Sequence, residues 1–285
     1  MPESTPRYGL TDDQLKSAPT MLRNDAFSEQ VVLVSGAGSG LGKATACLFA
    51  RLGAKLVICG RDESKLARSQ ALMTELGAEV LALPINIRSV DQVDALMQAA
   101  WDKFGRLDIV INNAGGQFPQ AAIDYTVKGW HAVIDTNLNG TWNMMQNVAR
   151  RWRETGSTGC IINIVAVVER GLPGIAHTCA ARAGVIGLSK SVAVEWAPLG
   201  IRVNCVAPGV IATEGFGQYP TPGLQTFFEA NVFKRPGDAQ DVAEACCYLS
   251  GTSGKFITGE VLNVDGGQQL WGDPWPTGRP AYFQL

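Results

Sequence analysis

The chain has 285 residues, 46% hydrophobic and 18% charged, a balance that suits one large buried core and excludes a disordered chain. Twenty-four basic against 26 acidic residues leave a net charge of −2, without the basic excess of a nucleic-acid binder. The 32 glycines follow no period, which excludes collagen and predicts tight turns or close approaches of backbone to a ligand.

Residues 1–30 hold no apolar core of signal-peptide length and read as an N-terminal extension. Seven Val- and Ile-rich runs follow: VVLVSG (31–36), KLVICG (55–60), VLALPIN (80–86), LDIVINNAG (107–115), CIINIVAVV (160–168), IRVNCVAPG (201–209) and FITGEVLNVDGG (256–267). Such runs read as strands buried on both faces. Segments with helical spacing lie between them. Leu41, Ala44, Leu48 and Leu52 form one apolar stripe, and Val93, Leu96, Ala100 and Phe104 another. A helix over 181–198 carries Val185, Leu188, Val192 and Trp196 and stops at Pro198, and Asp238 is a candidate N-cap for a helix over 242–249. About seven strands and six helical segments predict an α/β fold, a doubly wound parallel sheet of Rossmann type in a single domain spanning 31–270. Residues 271–285, WGDPWPTGRPAYFQL, form a Pro/Trp-rich C-terminal tail expected to pack on a surface or a neighbouring subunit. No run approaches the roughly 20 apolar residues of a membrane span. Seven cysteines without a C-x-x-C pair predict buried reduced thiols, and with them a soluble cytoplasmic protein.

The segment Ser35-Gly36-Ala37-Gly38-Ser39-Gly40-Leu41-Gly42 joins the first strand to the first helix of the sheet. Gly36 permits the tight turn, Gly40 lets backbone approach a phosphate, and Gly42 lets helix and sheet pack closely. The helix N-terminus offers free N–H groups to a pyrophosphate. The second run ends in Cys59-Gly60-Arg61, where an acidic residue would select the ribose hydroxyl of NAD(H) and an Arg suits a 2′-phosphate. Arg61 therefore favours NADP(H) over NAD(H), with Asp62 one step further as the opposing signal.

From 31 to 267 the chain resembles the short-chain dehydrogenase/reductase family. Asn112-Asn113-Ala114-Gly115, Asn137, Pro208-Gly209 with Thr213, and Val264-Asp265-Gly266-Gly267 carry the resemblance, with the spacing of the glycine loop. It implies that Ser35, Gly36, Ser39, Gly40, Leu41, Gly42, Arg61, Asn86, Asn113, Ala114, Gly115, Arg182, Pro208, Gly209 and Thr213 hold the dinucleotide, and that Asn137 supports a water in a proton relay. The catalytic segment departs from the family pattern. Thr178 stands where the family has Tyr, Arg182 where it has Lys, and Asn163-Ile164-Val165-Ala166 where it has Ser. The phenol that ordinarily exchanges a proton with the substrate oxygen is gone, and a threonine hydroxyl is too weak an acid to replace it.

The trans-2-enoyl-CoA and 2,4-dienoyl-CoA reductase branch of the family is similar in AGGQF (114–118), KGWHAV (128–133) and HTCAARAGV (177–185). That resemblance implies an NADPH-dependent oxidoreductase reducing the C=C bond of an unsaturated acyl-CoA without the usual Tyr. Hydride adds to carbon there, and the thioester oxygen asks only for hydrogen-bond donors. Catalytic candidates are Asn137, Thr178, Arg182 and His177, the last a proton donor by its ordinary pKa. Glu169 and Tyr125 are kept as substrate contacts only, and His131 as packing. Two alternatives stand beside this reading. Citronellol/citronellal dehydrogenase-type proteins are similar as well, which implies a dehydrogenase of a terpenoid or other apolar alcohol or aldehyde. A catalytically silent dinucleotide-binding subunit is the other. The stretch 214–235, with Phe216, Tyr219, Phe227, Phe228 and Phe233, is expected to be a lid over an apolar small-molecule substrate, an acyl-CoA among the choices. The family also implies a homotetramer. No nucleic acid, membrane or metal is expected.

Overall fold

A computed structural model describes residues 8–218 and 229–270. Seven strands form one parallel sheet: β1 (Val31–Ser35), β2 (Lys55–Gly60), β3 (Val80–Pro84), β4 (Ile109–Asn112), β5 (Gly159–Ile164), β6 (Ile201–Pro208) and β7 (Val261–Val264). Their spatial order is β3-β2-β1-β4-β5-β6-β7, so the winding reverses between β1 and β4. Successive side chains serve opposite faces. Val32 and Val34 of β1 join Leu56, Ile58, Ile111 and Ile162 under one helical layer, while Val31 and Leu33 join Val57, Val110 and Ile161 under the other. Burial on both faces is why the strands read as unbroken apolar runs.

The first layer contains α2 (Gly40–Arg51), α3 (Glu63–Glu75) and α8 (Ala239–Ser250); the second contains α4 (Val90–Phe104), α6 (Gly140–Thr155) and α7 (Ala176–Trp196). The connection from β4 to β5 begins with α5 (Val127–Ile134) and reaches α6 through wider π-type turns over Asp135–Asn139. Asp238 caps α8, as its sequence position suggests, accepting from the N–H groups of Gln240 (2.8 Å) and Asp241 (3.2 Å). The helix starts at Ala239, three residues before the apolar pattern does.

Several strands are shorter than their apolar runs. The fourth run extends to 115, but pairing stops at Asn112, because the N–H groups of Asn113 and Ala114 turn to the Ser35 hydroxyl. The seventh run covers 256–267, yet only Val261–Val264 pair with β6. Helix α7 begins at Ala176, well before 181, so His177 and Thr178 belong to its first turn. Its α-helical part ends at Trp196, and Pro198 sits in a single tighter turn, Ala197–Leu199. His131, expected to pack, is exposed on α5.

Residues 8–30 lie on the core. Leu15 and Phe27 are buried in the first layer, with Phe27 edge-on to Phe49 at 4.8 Å. A short helix, α1 (Asp12–Ser17), is held by a capping box between Thr11 and Gln14, and Arg51 donates to the carbonyls of Leu15 (3.2 Å) and Ala18 (2.6 Å). This N-terminal strap also reaches the segment after β6. Gly9, at φ +87°, lies against Thr213, and Tyr8 packs on Phe216 at 5.6 Å. Lys43 of α2 bridges Asp12 (2.9 Å) and Glu214 (3.0 Å).

Of the expected lid aromatics, Phe216 is buried and Phe233 exposed, while Tyr219, Phe227 and Phe228 lie outside the described residues, as does the tail 271–285. All seven cysteines are free thiols, Cys179 half-buried and the other six buried. No helix among the described residues is long and apolar enough to cross a membrane.

Candidate active site

The reversal between β1 and β4 opens a crevice at the C-terminal ends of the strands, the place where open α/β sheets bind ligands. Ser35 closes β1, and its buried Oγ accepts from the N–H groups of Asn113 (3.1 Å) and Ala114 (3.0 Å). The Asn113 amide donates back to the carbonyls of Ser35 (3.0 Å) and Gly36 (3.3 Å). Gly36 turns at φ +69°, where an added Cβ would lie 2.9 Å from the Ala114 Cα. A Cβ on Gly42 would fall on the Gly36 carbonyl and the Asn113 amide. These glycines are demanded by close packing of the turn. Ser39 precedes α2 and makes no side-chain cap, so the first N–H groups of the helix stay open to an anion. Leu41 packs beneath them on the core. Thr213 faces Gly40 at 3.8 Å from its would-be Cβ. Pro208 ends β6, and Gly209 donates to the Val264 carbonyl (3.0 Å).

Arg61 is exposed just beyond β2. Asp62 caps α3, with its carboxylate accepting from the Ser64 hydroxyl (2.7 Å) and the Lys65 N–H (3.0 Å); these bonds hold its pKa below the usual range. Asn86 follows β3, where its Oδ1 accepts from the Arg88 N–H (3.2 Å). The turn, the open helix end and the glycine cradle together fit a dinucleotide phosphate bridge.

Two of the catalytic candidates, Asn137 and Arg182, meet at Gly115, beside this cradle. Asn137 lies in the π-type turns and pairs reciprocally with Gly116: its Oδ1 accepts from the Gly116 N–H and its Nδ2 donates to the Gly116 carbonyl, both at 2.9 Å. The neighbouring Gly115 leaves no room for a side chain, since a Cβ would fall on Arg182 Nη2 and lie 2.9 Å from Asn137 Oδ1. Arg182 is only 8% exposed, and its Nη1 has no partner among the described residues. Burial pulls its guanidinium down to about 10, still charged at neutral pH. A buried donor of this kind costs about 1–3 kcal/mol unless something pairs with it, which fits a site built for a ligand.

His177 and Thr178 are both buried in the first turn of α7. The Thr178 N–H donates to His177 Nδ1 (2.8 Å) as well as to the Ile175 carbonyl (2.9 Å). With Nδ1 accepting, the neutral ring carries its proton on Nε2, and Nε2 is buried without a partner among the described residues. Burial lowers the His177 pKa, against a smaller opposing pull from the Ile175 carbonyl. Around the ring stand Phe118, edge-on at 4.6 Å, and Tyr125, stacked at 4.4 Å with planes 5° apart. The Tyr125 Oη is likewise buried without a partner, and Trp130 leans on the Tyr125 ring at 6.4 Å. Glu169 is exposed in the loop after β5.

Two features of the site carry little signal in the sequence. Asn163, at the end of β5, accepts from Asn112 Nδ2 (2.8 Å) and donates to Ser189 Oγ (2.9 Å), which ties β4, β5 and α7 together behind the site. Tyr125 is the second: only the aromatic cluster around His177 shows how close it stands to the candidates.

The family model described as "Enoyl-(Acyl carrier protein) reductase" matches residues 36–269. A probable 2,4-dienoyl-CoA reductase of Bacillus subtilis is 33% identical over 262 residues, covering 88% of this chain and all of that protein. A 3-oxoacyl-[acyl-carrier-protein] reductase of Synechocystis is 38% identical, over 86% of this chain and 99% of that one. Among solved structures, the citronellol catabolism dehydrogenase AtuB of Pseudomonas aeruginosa superposes with a TM-score of 0.79 at 32% identity, covering 88% of this chain and 99% of that one.

Proposed function

The chain belongs to the short-chain dehydrogenase/reductase family of oxidoreductases, which bind a nicotinamide dinucleotide, and on that premise we propose that it is an NADPH-dependent reductase of the C=C bond in an α,β-unsaturated acyl thioester. The observation that carries the reading is the donor set at the site. Where the family places a phenol, this chain has Thr178, flanked by a neutral imidazole whose Nε2–H lacks a partner and by a buried arginine cation. Such a set stabilises negative charge without exchanging a proton at the oxygen.

The bound reduced nicotinamide supplies a hydride. Gly36, Gly40 and Gly42 let the main chain meet its phosphates, and Arg61 is the cation for a 2′-phosphate, since the Asp62 carboxylate is engaged in capping α3. As C3 of the enoyl group gains hydride, the C2=C3 electron pair shifts towards C1 and the carbonyl oxygen takes up the charge. His177 Nε2–H is a donor for that oxygen, and the Arg182 cation adds positive potential behind Gly115. Asn137 fixes the Gly116 backbone and keeps a second N–H and lone pair for a water, which protonates C2.

The first experiment follows NADPH absorbance with a medium-chain trans-2-enoyl-CoA. Turnover that fails with NADH supports both parts of the reading; NADPH binding without turnover removes it. The likeness to AtuB favours a second reading, oxidation of an apolar terpenoid alcohol with His177 as base, and citronellol with NADP+ tests it directly. We extend the first reading, on the family resemblance and the free thiols, to a cytoplasmic homotetramer.

A further inference from the structure

We propose that Tyr125 supplies, from outside the family's catalytic segment, the phenol that position 178 lacks: its Oη and His177 Nε2 together hold the thioester carbonyl oxygen of the substrate. The inference rests on the enoyl-thioester reading above. Among the described residues, Tyr125 is the tyrosine at the site. Tyr8 is spent on Phe216, and Tyr248 stands half-exposed on α8.

Three observations converge on this pair. First, Oη of Tyr125 and Nε2 of His177 are both shut off from solvent and both without a partner among the described residues. Two orphaned polar atoms on touching rings ask for a common explanation, and a shared ligand atom provides one. Second, the rings are stacked almost parallel, 5° apart at 4.4 Å, and Phe118 closes on both, at 4.6 Å from His177 and 6.1 Å from Tyr125. The polar tips are therefore fixed in place before substrate arrives, as an oxyanion site requires. Third, both tips are donors. The Thr178 N–H occupies Nδ1, which leaves Nε2 to carry the proton, and a phenol has one to give. Two donors carried on stacked rings suit an oxygen with two lone pairs and growing negative charge.

Both groups keep their protons throughout. They donate hydrogen bonds to the oxygen while the charge is there, and the proton that completes the product comes from water to C2. Tyr125 thus stabilises charge, and the hydroxyl rather than the ring is the functional part.

The test compares Tyr125→Phe, which keeps the stack, with Tyr125→Leu, which removes it. Each is assayed for enoyl-CoA turnover, for the NADPH dissociation constant by fluorescence, and for the absorption shift of bound trans-cinnamoyl-CoA, whose band moves to longer wavelength when donors polarise its carbonyl. Expected are about a 10²-fold fall in kcat for Tyr125→Phe, loss of much of the shift, and an unchanged NADPH constant. A ring that only packs would be rescued by Phe and damaged by Leu; turnover and shift at wild-type level in Tyr125→Phe overturn the inference and leave the reductase reading intact. If the wild-type protein neither binds the chromophore nor reduces any enoyl thioester, the reductase reading fails, and the inference with it.

Discussion

Replacing Gly115 by Ala should damage the site through two identifiable neighbours. The new methyl would fall on Arg182 Nη2 and lie 2.9 Å from Asn137 Oδ1. An approach of 2.9 Å is shorter than real Cβ contacts allow, so Asn137 must give way as well as the guanidinium. Its two 2.9 Å bonds to Gly116 are then lost or lengthened. At about 1 kcal/mol each, the net loss is about 2 kcal/mol. For a chain of this size that lowers the melting temperature by about 3 °C. The same shift displaces the cation beside the cofactor cradle, and NADPH affinity should fall at least about tenfold, or 1.4 kcal/mol. The assay pairs a thermal melt with an NADPH fluorescence titration, on Gly115→Ala, Arg182→Ala and the double variant. If the clash with the guanidinium is the cause, Gly115→Ala costs much less once Arg182 is shortened, with a coupling above about 1 kcal/mol. Strict additivity, or wild-type melting and binding in Gly115→Ala, refutes the reasoning.

Asn163→Ala removes the buried bonds to Asn112 and Ser189 and leaves both Asn112 amide atoms unpaired, so it should destabilise the chain by about 2–4 kcal/mol. Urea unfolding checks this: the midpoint should fall at an unchanged slope, and a loss under about 0.5 kcal/mol would rule it out. For His177, the folded pKa lies below the unfolded value of 6.5, so the native state binds fewer protons once the pH drops below 6.5. Its contribution is fully present above 6.5 and is lost as the pH falls through the depressed folded value; His177→Gln should flatten that acid limb of stability against pH, and parallel limbs would count against it.

The sheet was legible because both faces are buried: β1 and β2 show as runs of Val, Leu and Ile, and β5 as Cys160-Ile161-Ile162 broken only by Asn163 before Ile164. The glycine turn was legible for a different reason. Gly36 and Gly42 answer to steric limits that no other residue satisfies, so they carry their meaning in isolation. The ends of elements were harder. Asn113 and Ala114 look like a continuation of β4, and only the Ser35 hydroxyl, distant in sequence, diverts their N–H groups. The start of α7 gave no signal at all, because Ile175 stands at its N-cap and offers no capping side chain. The missing phenol was visible in Thr178, but the stack of Tyr125 on His177 was not. It depends on how α5 and α7 come together, and neither residue sits in a spacing that marks the other.

The N-terminal strap sets the order in which the chain can finish folding. Tyr8, Gly9 and Asp12 leave the ribosome well before their partners Phe216, Thr213 and Glu214, which follow some two hundred residues later. Until then Leu15 and Phe27 can pack only on α2 and its neighbours, while Lys43 waits with one of its two carboxylates unmade. Closing so long a loop is only modestly dearer in entropy than closing a short one, because the cost grows with the logarithm of length. It is slow in time, however, since non-local contacts form late. A segment made early is thus among the last to be locked, and its closure joins the strap to the strand ends that border the active site.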